Sequence, residues 1–429
     1  MTRCSVSWSR TLGPTKRSPS NRSHILRVVN VLFLTHRLPY APNRGDRIRA
    51  HFLLRALTAV ATVRVVSLVH DNEEASHASD LAPSVESTHI ARVSGLRNRL
   101  RSVLALPGQR PTTHTMLDSP GLEGAITTAT RIRPDVVLAY CSGMARLAMA
   151  TPLRSYPCVL DMVDVDSEKW RALAKVSNAP FSWIYNREAR VLRRFEAEAA
   201  RFASSTMVVT SRERDSMLDI APTARIEVVP NGVDVDELCP PSAPSTSSDV
   251  VFCGVMNYAP NEKAARLLAV DVWPLVRQQC PDATLSLVGS SPSRAVEALG
   301  SAQMGITVTG AVPDVRPYLW RAAIAAAPIF TARGIQNKVL EAVAAGLPTV
   351  VTPNLMDSLP DAVRPACVSA DSVQAIAAAI VDLLNRKPNE RRAMAARADV
   401  RSIAWERQLA PVRALLEQAI ASGTSRGTR

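Results

Sequence analysis

Hydrophobic positions along the chain fall into short β-branched runs, separated by longer stretches in which apolar residues recur every three or four places. From residue 28, "VVNVLFLTH" is followed by "DRIRAHFLLRALTAV", "TVRVVSLVH", a stretch of no clear period, "RPDVVLAY", "YPCVLDMV", a long helical stretch over about 182–202, and "STMVVTS". Apolar runs of strand length alternating with amphipathic helices predict parallel strands wrapped by helices. Near residue 240 the alternation stops at "CPPSAPSTSSD", whose Pro and Ser content reads as a linker or exposed loop. It restarts with "VVFCGV", a helix over about 260–280, "ATLSLVG", a short helix, "ITVTGAV", "AIAAAPIF", the helix "QNKVLEAVAAG" and "PTVVTP". Closing helices are expected at 371–398 and 403–421.

The predicted fold class is therefore α/β: two facing Rossmann-like, doubly wound parallel-sheet domains at 28–238 and 249–402, a linker at 239–248, and a helix at 403–422 packing back toward the first domain. In such sheets ligands lie beyond the carboxyl ends of the strands, so the cleft between the domains is where chemistry is expected. Residues 1–27 stand apart, with six Lys/Arg, no Asp/Glu and no continuous apolar core of a secretory signal; they read as a disordered basic tail or an over-long start. They hold nearly half of the formal charge of +13, so the folded part is less basic than the total suggests.

Hydrophobic residues form 47% of the 429 positions, enough for a large core, yet the apolar runs stop at strand length and predict no spanning helix. The seven cysteines are far apart and form no CxxC, and the seven histidines all precede residue 115, so no metal held by His or Cys is expected. With 4% aromatic residues and dispersed charge, nucleic acid is not an expected partner.

The segment "TARGIQNKVLEAVAAGLPTV" (331–350) runs from a strand end into a helix otherwise apolar nearly all round. A turn at Gly334 would leave the N–H groups of Ile335, Gln336 and Asn337 free at the positive end of the helix dipole, an anion site. Arg333 and Lys338 add two cations, a match for a diphosphate, and Glu341 supplies an acceptor for the two hydroxyls of a ribose. The plainer alternative is a surface Lys338–Glu341 pair, which so apolar a helix leaves little room for.

Other strand-end loops carry candidates. "LDMVDVDSEKW" puts Asp161 and Asp164 at the cleft edge to orient acceptor or sugar, and its Asp164-Val165-Asp166 spacing is a weak cation signal. The same spacing at Asp234 and Asp236 is explained by turn chemistry. "THRLPYAPNRGDRIRAH" offers His36, Arg44 and Arg47 on the acceptor or phosphate side, with Asp46 expected as a helix N-cap. "GVMNYAPNEKAAR" offers Gly254, Asn257 and Lys263, the last as a phosphate cation or a solvated residue.

The "ARGIQNKVLEAVAAGLP" arrangement resembles the donor-binding signature of the group 1, or family 4, glycosyltransferases of GT-B fold, in which two glutamates eight residues apart flank a Gly-containing turn. Glu341 matches the second glutamate; the first falls on Arg333, where a cation favours the β-phosphate ahead of an acidic sugar. "HRLPYAPNRGDRIR", "DMVDVDSEKW", "VVPNGVDVDELCP", "GVMNYAPNEKAA" and "VTGAVPDVRPYL" extend the likeness, from about residue 30 to 412, toward the sugar transferases of exosortase/PEP-CTERM exopolysaccharide systems. The resemblance implies a cytoplasmic, metal-independent, retaining hexosyltransferase without cofactor, taking a UDP-, GDP- or dTDP-sugar on the carboxyl-terminal half. A glycan or lipid-linked oligosaccharide acceptor would bind on the other half. It implies that Gly45 approaches the transferring sugar and that Asn257 occupies the loop where relatives place an arginine. The resulting site has Arg333, Lys338 and Asp161 as catalytic residues. Gly334, Ile335, Gln336, Asn337, Glu341, Gly254, Asn257, Lys263 and Gly45 bind donor, and His36, Arg44, Arg47 and Asp164 face acceptor.

Two basic amphipathic helices bear on partners. "GLRNRLRSVLALPGQR" sets Leu96, Leu100, Val103 and Leu104 on one face with Arg97, Arg99 and Arg101 elsewhere; it reads as contact with an anionic membrane surface or as a helix packed on the sheet. "WIYNREARVLRRFEAEAARF" fits the packed helix. Two rival functions share the frame: a nucleotide-sugar epimerase, which turns over without acceptor, and a catalytically lost scaffold, which binds no nucleotide. An NAD dehydrogenase is disfavoured because no GxGxxG follows a strand.

Overall fold

A computed structural model describes residues 29–41, 45–240, 242–330 and 336–426. The basic segment 1–27 and the candidates Arg44, Arg333, Gly334 and Ile335 lie outside the described residues. Strands β1 (Val29–Thr35), β2 (Ala61–Val69), β3 (Ser87–Arg92), β4 (Val136–Tyr140), β5 (Cys158–Val163), β6 (Ser205–Val208) and β7 (Ile226–Val228) form one sheet in the order β3-β2-β1-β4-β5-β6-β7. Strands β8 (Asp249–Cys253), β9 (Thr284–Val288), β10 (Ile306–Val308), β11 (Ile324–Ala327), β12 (Thr349–Val351) and β13 (Cys367–Ser369) form the other, in the order β10-β9-β8-β11-β12-β13. Every pairing is parallel.

Alternation along β1 shows why its run is apolar without interruption. Leu32 and Leu34 enter one core with Leu160 and Val208, whereas Val31 and Phe33 enter the core on the opposite face. That second core is completed by residues from the far end of the chain: Trp405, Leu409, Val412, Leu415 and Leu416. The Ala410–Arg426 helix thus lies on the first sheet, against β4 and β5, and Trp405 stacks on Phe52 with ring centroids 4.7 Å apart.

The chain crosses between domains twice, and the crossings run side by side. Val233 pairs with Ala404 as an isolated parallel bridge, its N–H donating to Ile403 O at 3.0 Å and its carbonyl accepting from Trp405 N at 3.2 Å. Contact is so close that a Cβ at Gly232 would fall 2.7 Å from the Trp405 backbone, which excludes any other residue there.

Several elements differ from the sequence expectation. Strands β3, β7 and β13 lie at sheet edges or next to them in runs too short or too polar to register. The helix expected over 371–398 is two, Val373–Asn385 and Pro388–Ala395, because Pro388 has no N–H to continue the first and opens the second. The Pro/Ser-rich segment is pinned to the second domain: Arg391 donates to Ser245 O at 3.2 Å, and Ser247 Oγ donates to Arg321 O at 2.6 Å. Among the described residues no helix is long and apolar enough to cross a membrane.

Replacing the nearly inaccessible Trp405 with Ala removes the hinge's packing against the first domain. The expected loss is about 3–5 kcal/mol of unfolding free energy in urea titration.

Candidate functional site

Strand order reverses between β1 and β4 in the first sheet and between β8 and β11 in the second, which puts a crevice at the carboxyl end of each reversal. At the second crevice Gly254 follows β8, and the Asn337–Ala344 helix follows β11. Gln336 is the extended cap of that helix, so its first free N–H groups belong to Asn337 and Lys338. Val339, Leu340, Ala342 and Val343 are buried, which leaves Lys338 and Glu341 one turn apart on the only partly open face.

Lys338 and Glu341 do not form an ion pair. Lys338 Nζ donates to Gln336 Oε1 at 3.0 Å, and among the described residues no donor reaches the Glu341 carboxylate. Burial lowers the Lys338 ammonium to about 8 against the opposing pull of Glu341 and Cys253. Burial likewise raises the Glu341 carboxyl, opposed by Lys338. Two ionisable groups kept half-dry without mutual contact are costly to desolvate, an arrangement suited to a polar ligand.

Glycines let two strand ends pack tightly beside Lys338. Gly289, after β9, has φ +148°, and a Cβ there would fall 1.8 Å from Gly254 O; one at Gly254 would fall 2.7 Å from Asn261 Nδ2 and 3.3 Å from Lys338 Cε. Asn261, missed in the sequence, is the buried amide of this loop: its Nδ2 donates to Val255 O at 2.9 Å and its Oδ1 has no partner. Asn257 and Lys263 are exposed, and Lys263 is solvated on the Ala259–Arg266 helix.

At the first crevice His36 follows β1 and Cys141 follows β4, with His36 Nδ1 3.5 Å from Cys141 Sγ and the imidazole stacked over Tyr140. Burial pushes the Cys141 thiol up to about 12, so it is neutral. Cys141 and Val163 leave β4 and β5 with φ of 69° and 66°, a strained conformation for side-chain-bearing residues and most of all for β-branched valine.

Asp161 is not on the cleft wall. It is fully buried in β5, with Oδ2 accepting from Arg49 Nε at 2.7 Å and Oδ1 accepting from Val163 N at 3.3 Å. Burial raises its carboxyl and Arg49 opposes the shift. Contact with substrate is replaced by a relay: Arg49 Nη1 donates to Pro230 O at 3.2 Å and to Asn231 Oδ1 at 3.1 Å, and Asn231 Nδ2 donates to Asn337 Oδ1 at 3.4 Å. Asn337 opens the helix that carries Lys338 and Glu341. Arg49 was missed, although a basic residue four places before Leu53 on the buried stripe and an Asp inside "VLDMV" are each unusual enough to require the other.

Arg47 is also buried, donating to Tyr40 Oη at 2.7 Å and pairing with Glu74 at 3.6 Å, so it holds its own loop instead of a phosphate. The helix begins at Gly45, one residue ahead of the expected cap Asp46. Asp164 is partly exposed at the cleft edge, and burial, Glu213 and Asp166 raise it to about 6. Asp166 turns away to accept from Ser142 Oγ at 3.0 Å. Among the described residues no group of three or more His, Cys, Asp or Glu is placed to hold a metal ion.

Residues 247–386, most of the second domain, match the family model described as glycosyl transferases group 1. The fold is GT-B. Anabaena HepE, solved with UDP and glucose, is similar over 90% of this chain and 99% of its own at 14% identity, with a TM-score of 0.59. TarM is similar over 91% and 99% at 10% identity, with a TM-score of 0.64. A glycosyltransferase of Rickettsia africae covers 92% and 99% at 11% identity, with a TM-score of 0.57. No curated protein sequence matches the chain. GT-B architecture accounts for both sheets and both crossings, and most of the second domain matches the group 1 glycosyl transferase model.

Arg49→Met strands the Asp161 carboxylate and is expected to cost about 3–5 kcal/mol of stability. Pairing it with Asp161→Leu should recover most of that loss in the same chemical denaturation.

Proposed function

We propose that the protein is a glycosyltransferase that moves a hexose from a nucleotide diphosphate sugar to a glycan or lipid-linked glycan acceptor. The observation that carries this reading is a half-buried cation and carboxylate that do not pair with each other, Lys338 and Glu341, at the head of the Asn337–Ala344 helix and at the strand-order reversal of a domain that matches the group 1 model. Lys338 and the first-turn N–H groups stabilise the departing diphosphate, and Glu341 receives the ribose hydroxyls. In this reading Arg333 adds charge at the β-phosphate. Electrostatic stabilisation of the leaving group does the work a divalent cation performs in other transferases, so no metal is required.

Asp164, raised to about 6, is suited to take the acceptor's proton from the first-domain side, and His36, beside Cys141, is the second acceptor-side candidate. Asp161 acts through Arg49 as a positioning residue. UDP is the first nucleotide to test, since HepE was solved with UDP-glucose and a TarM variant of S. aureus with UDP. Retention of configuration, a role in exopolysaccharide assembly of the exosortase type, and a cytoplasmic, membrane-peripheral location complete the proposal; they rest on the motif resemblance.

UDP-, GDP- and dTDP-sugars are screened for thermal stabilisation, and one is expected to raise the melting temperature. Glu341→Ala and Lys338→Ala should each weaken that nucleotide about 10–100-fold, the worth of a charge-assisted hydrogen bond. A nucleotide bound equally well by both variants overturns the assignment.

A bound diphosphate raises the Lys338 pKa above its free value of about 8, so binding takes up a proton once the pH exceeds that value. Affinity should be level below about pH 8 and fall above it by up to about tenfold per unit. Calorimetry in buffers of different ionisation enthalpy reads the proton directly.

A further inference from the structure

In the Gly95–Leu104 helix the buried side is polar: Asn98 donates to Met116 O and Asp118 O, and Ser102 donates to Asn98 O. Its apolar side faces outward, with Leu96 79%, Leu100 67%, Val103 63% and Leu104 80% exposed. A helix that buries its amides and presents four large aliphatic groups is inverted relative to a core helix.

The charges on the helix itself share one sign, with Glu123 among the residues that line the groove beside it. Among the described residues no carboxylate pairs with Arg97, Arg99 or Arg101. Arg97 and Arg101, one turn apart, rim an open groove of about 910 Å³ between this helix and the Leu122–Ala129 and Ser142–Ala148 helices. Asp118, on the same rim, is already held by Arg110 and Arg146.

The patch continues onto a second element. Arg187, buried in the Phe181–Phe202 helix, donates to Ala105 O at 3.0 Å and Arg110 O at 2.8 Å, which fixes the end of the exposed helix. One turn earlier Trp183 is exposed, as are Phe181 and, at the end of the preceding Asp166–Val176 helix, Val176. The first domain thus exposes aliphatic groups, a Trp and a Phe together with a row of arginines that meet no carboxylate among the described residues.

We propose that this face docks the protein on an anionic phospholipid bilayer, the four aliphatic residues and Trp183 entering the headgroup boundary while Arg97, Arg99 and Arg101 meet lipid phosphates. Charge complementarity selects this occupant: a second copy would set these arginines against their own equivalents, whereas an anionic leaflet neutralises all three. The proposal rests on the peripheral placement of the enzyme and not on its donor chemistry.

The test is sedimentation of the full chain with phosphatidylcholine vesicles and with vesicles that also contain phosphatidylglycerol. Binding is expected only to the second kind and should weaken as salt rises. Leu100→Glu/Leu104→Glu and Arg97→Glu/Arg101→Glu are each expected to reduce it at least about tenfold. Both pairs are exposed, so the melting temperature and its shift with nucleotide should stay as in the parent protein, which separates failure here from failure of the transferase reading. Equal binding to both vesicles overturns the proposal. So does anionic binding that survives both double variants, as it would if the basic first residues alone held the membrane. A concentration-dependent dimer that the leucine variant dissolves assigns the face to a second copy and also overturns it.

Discussion

A carboxylate inside an apolar strand must meet a cation, and in this protein that requirement ties the two halves together. Asp161 in β5 is fully buried, and Arg49 answers it. Taking both charges out of water costs several kcal/mol per ion, so such a pair is weak support for stability taken alone. Its value lies in the guanidinium's several donors: with Nε committed to Asp161, Nη1 reaches the first interdomain crossing at Pro230 and Asn231. Asn231 then touches the first residue of the donor-side helix. One arginine therefore connects the first sheet, the hinge and the head of the site.

The donor side is arranged by exclusion. Gly289 and Gly254 bring two strand ends into backbone contact, and the absence of a side chain at Gly254 lets the Lys338 stem lie against that turn. Because the surrounding helix face is apolar, each charge is strong where it is and weakly compensated. The acceptor side is built differently: strained exits from β4 and β5 and a carboxyl at Asp164 with a raised pKa. One half thus carries fixed charge at its strand ends, and the other a titratable carboxyl.

What the sequence revealed follows burial. The inner strands β1, β4 and β8 are covered on both faces, so their runs are unbroken and easily recognised. Strand β3, next to solvent, reads "STHIAR", and β7 and β13 have three residues each, so neither period nor length sets them apart from loops. Lys338 and Glu341 were legible because a charge on an apolar helix is conspicuous. Arg49 carried a signal in its place on the buried helix stripe, whereas Arg47, two residues earlier after the same loop, gains its partner only from the three-dimensional position of Glu74. The Gly95–Leu104 helix was legible as amphipathic, but periodicity is blind to which side faces inward.

The side-by-side crossings at Val233 and Ala404 also govern how this architecture can be recombined. Grafting a different second domain onto this first domain requires two junctions, one before Gly232 and one after Trp405, cut so that the bridge and the glycine beneath it come from a single parent. A chimaera spliced only within the Pro/Ser-rich segment would leave the terminal helix foreign to the sheet it must cover. The natural unit of exchange is therefore an insert with two ends, not a carboxyl-terminal tail.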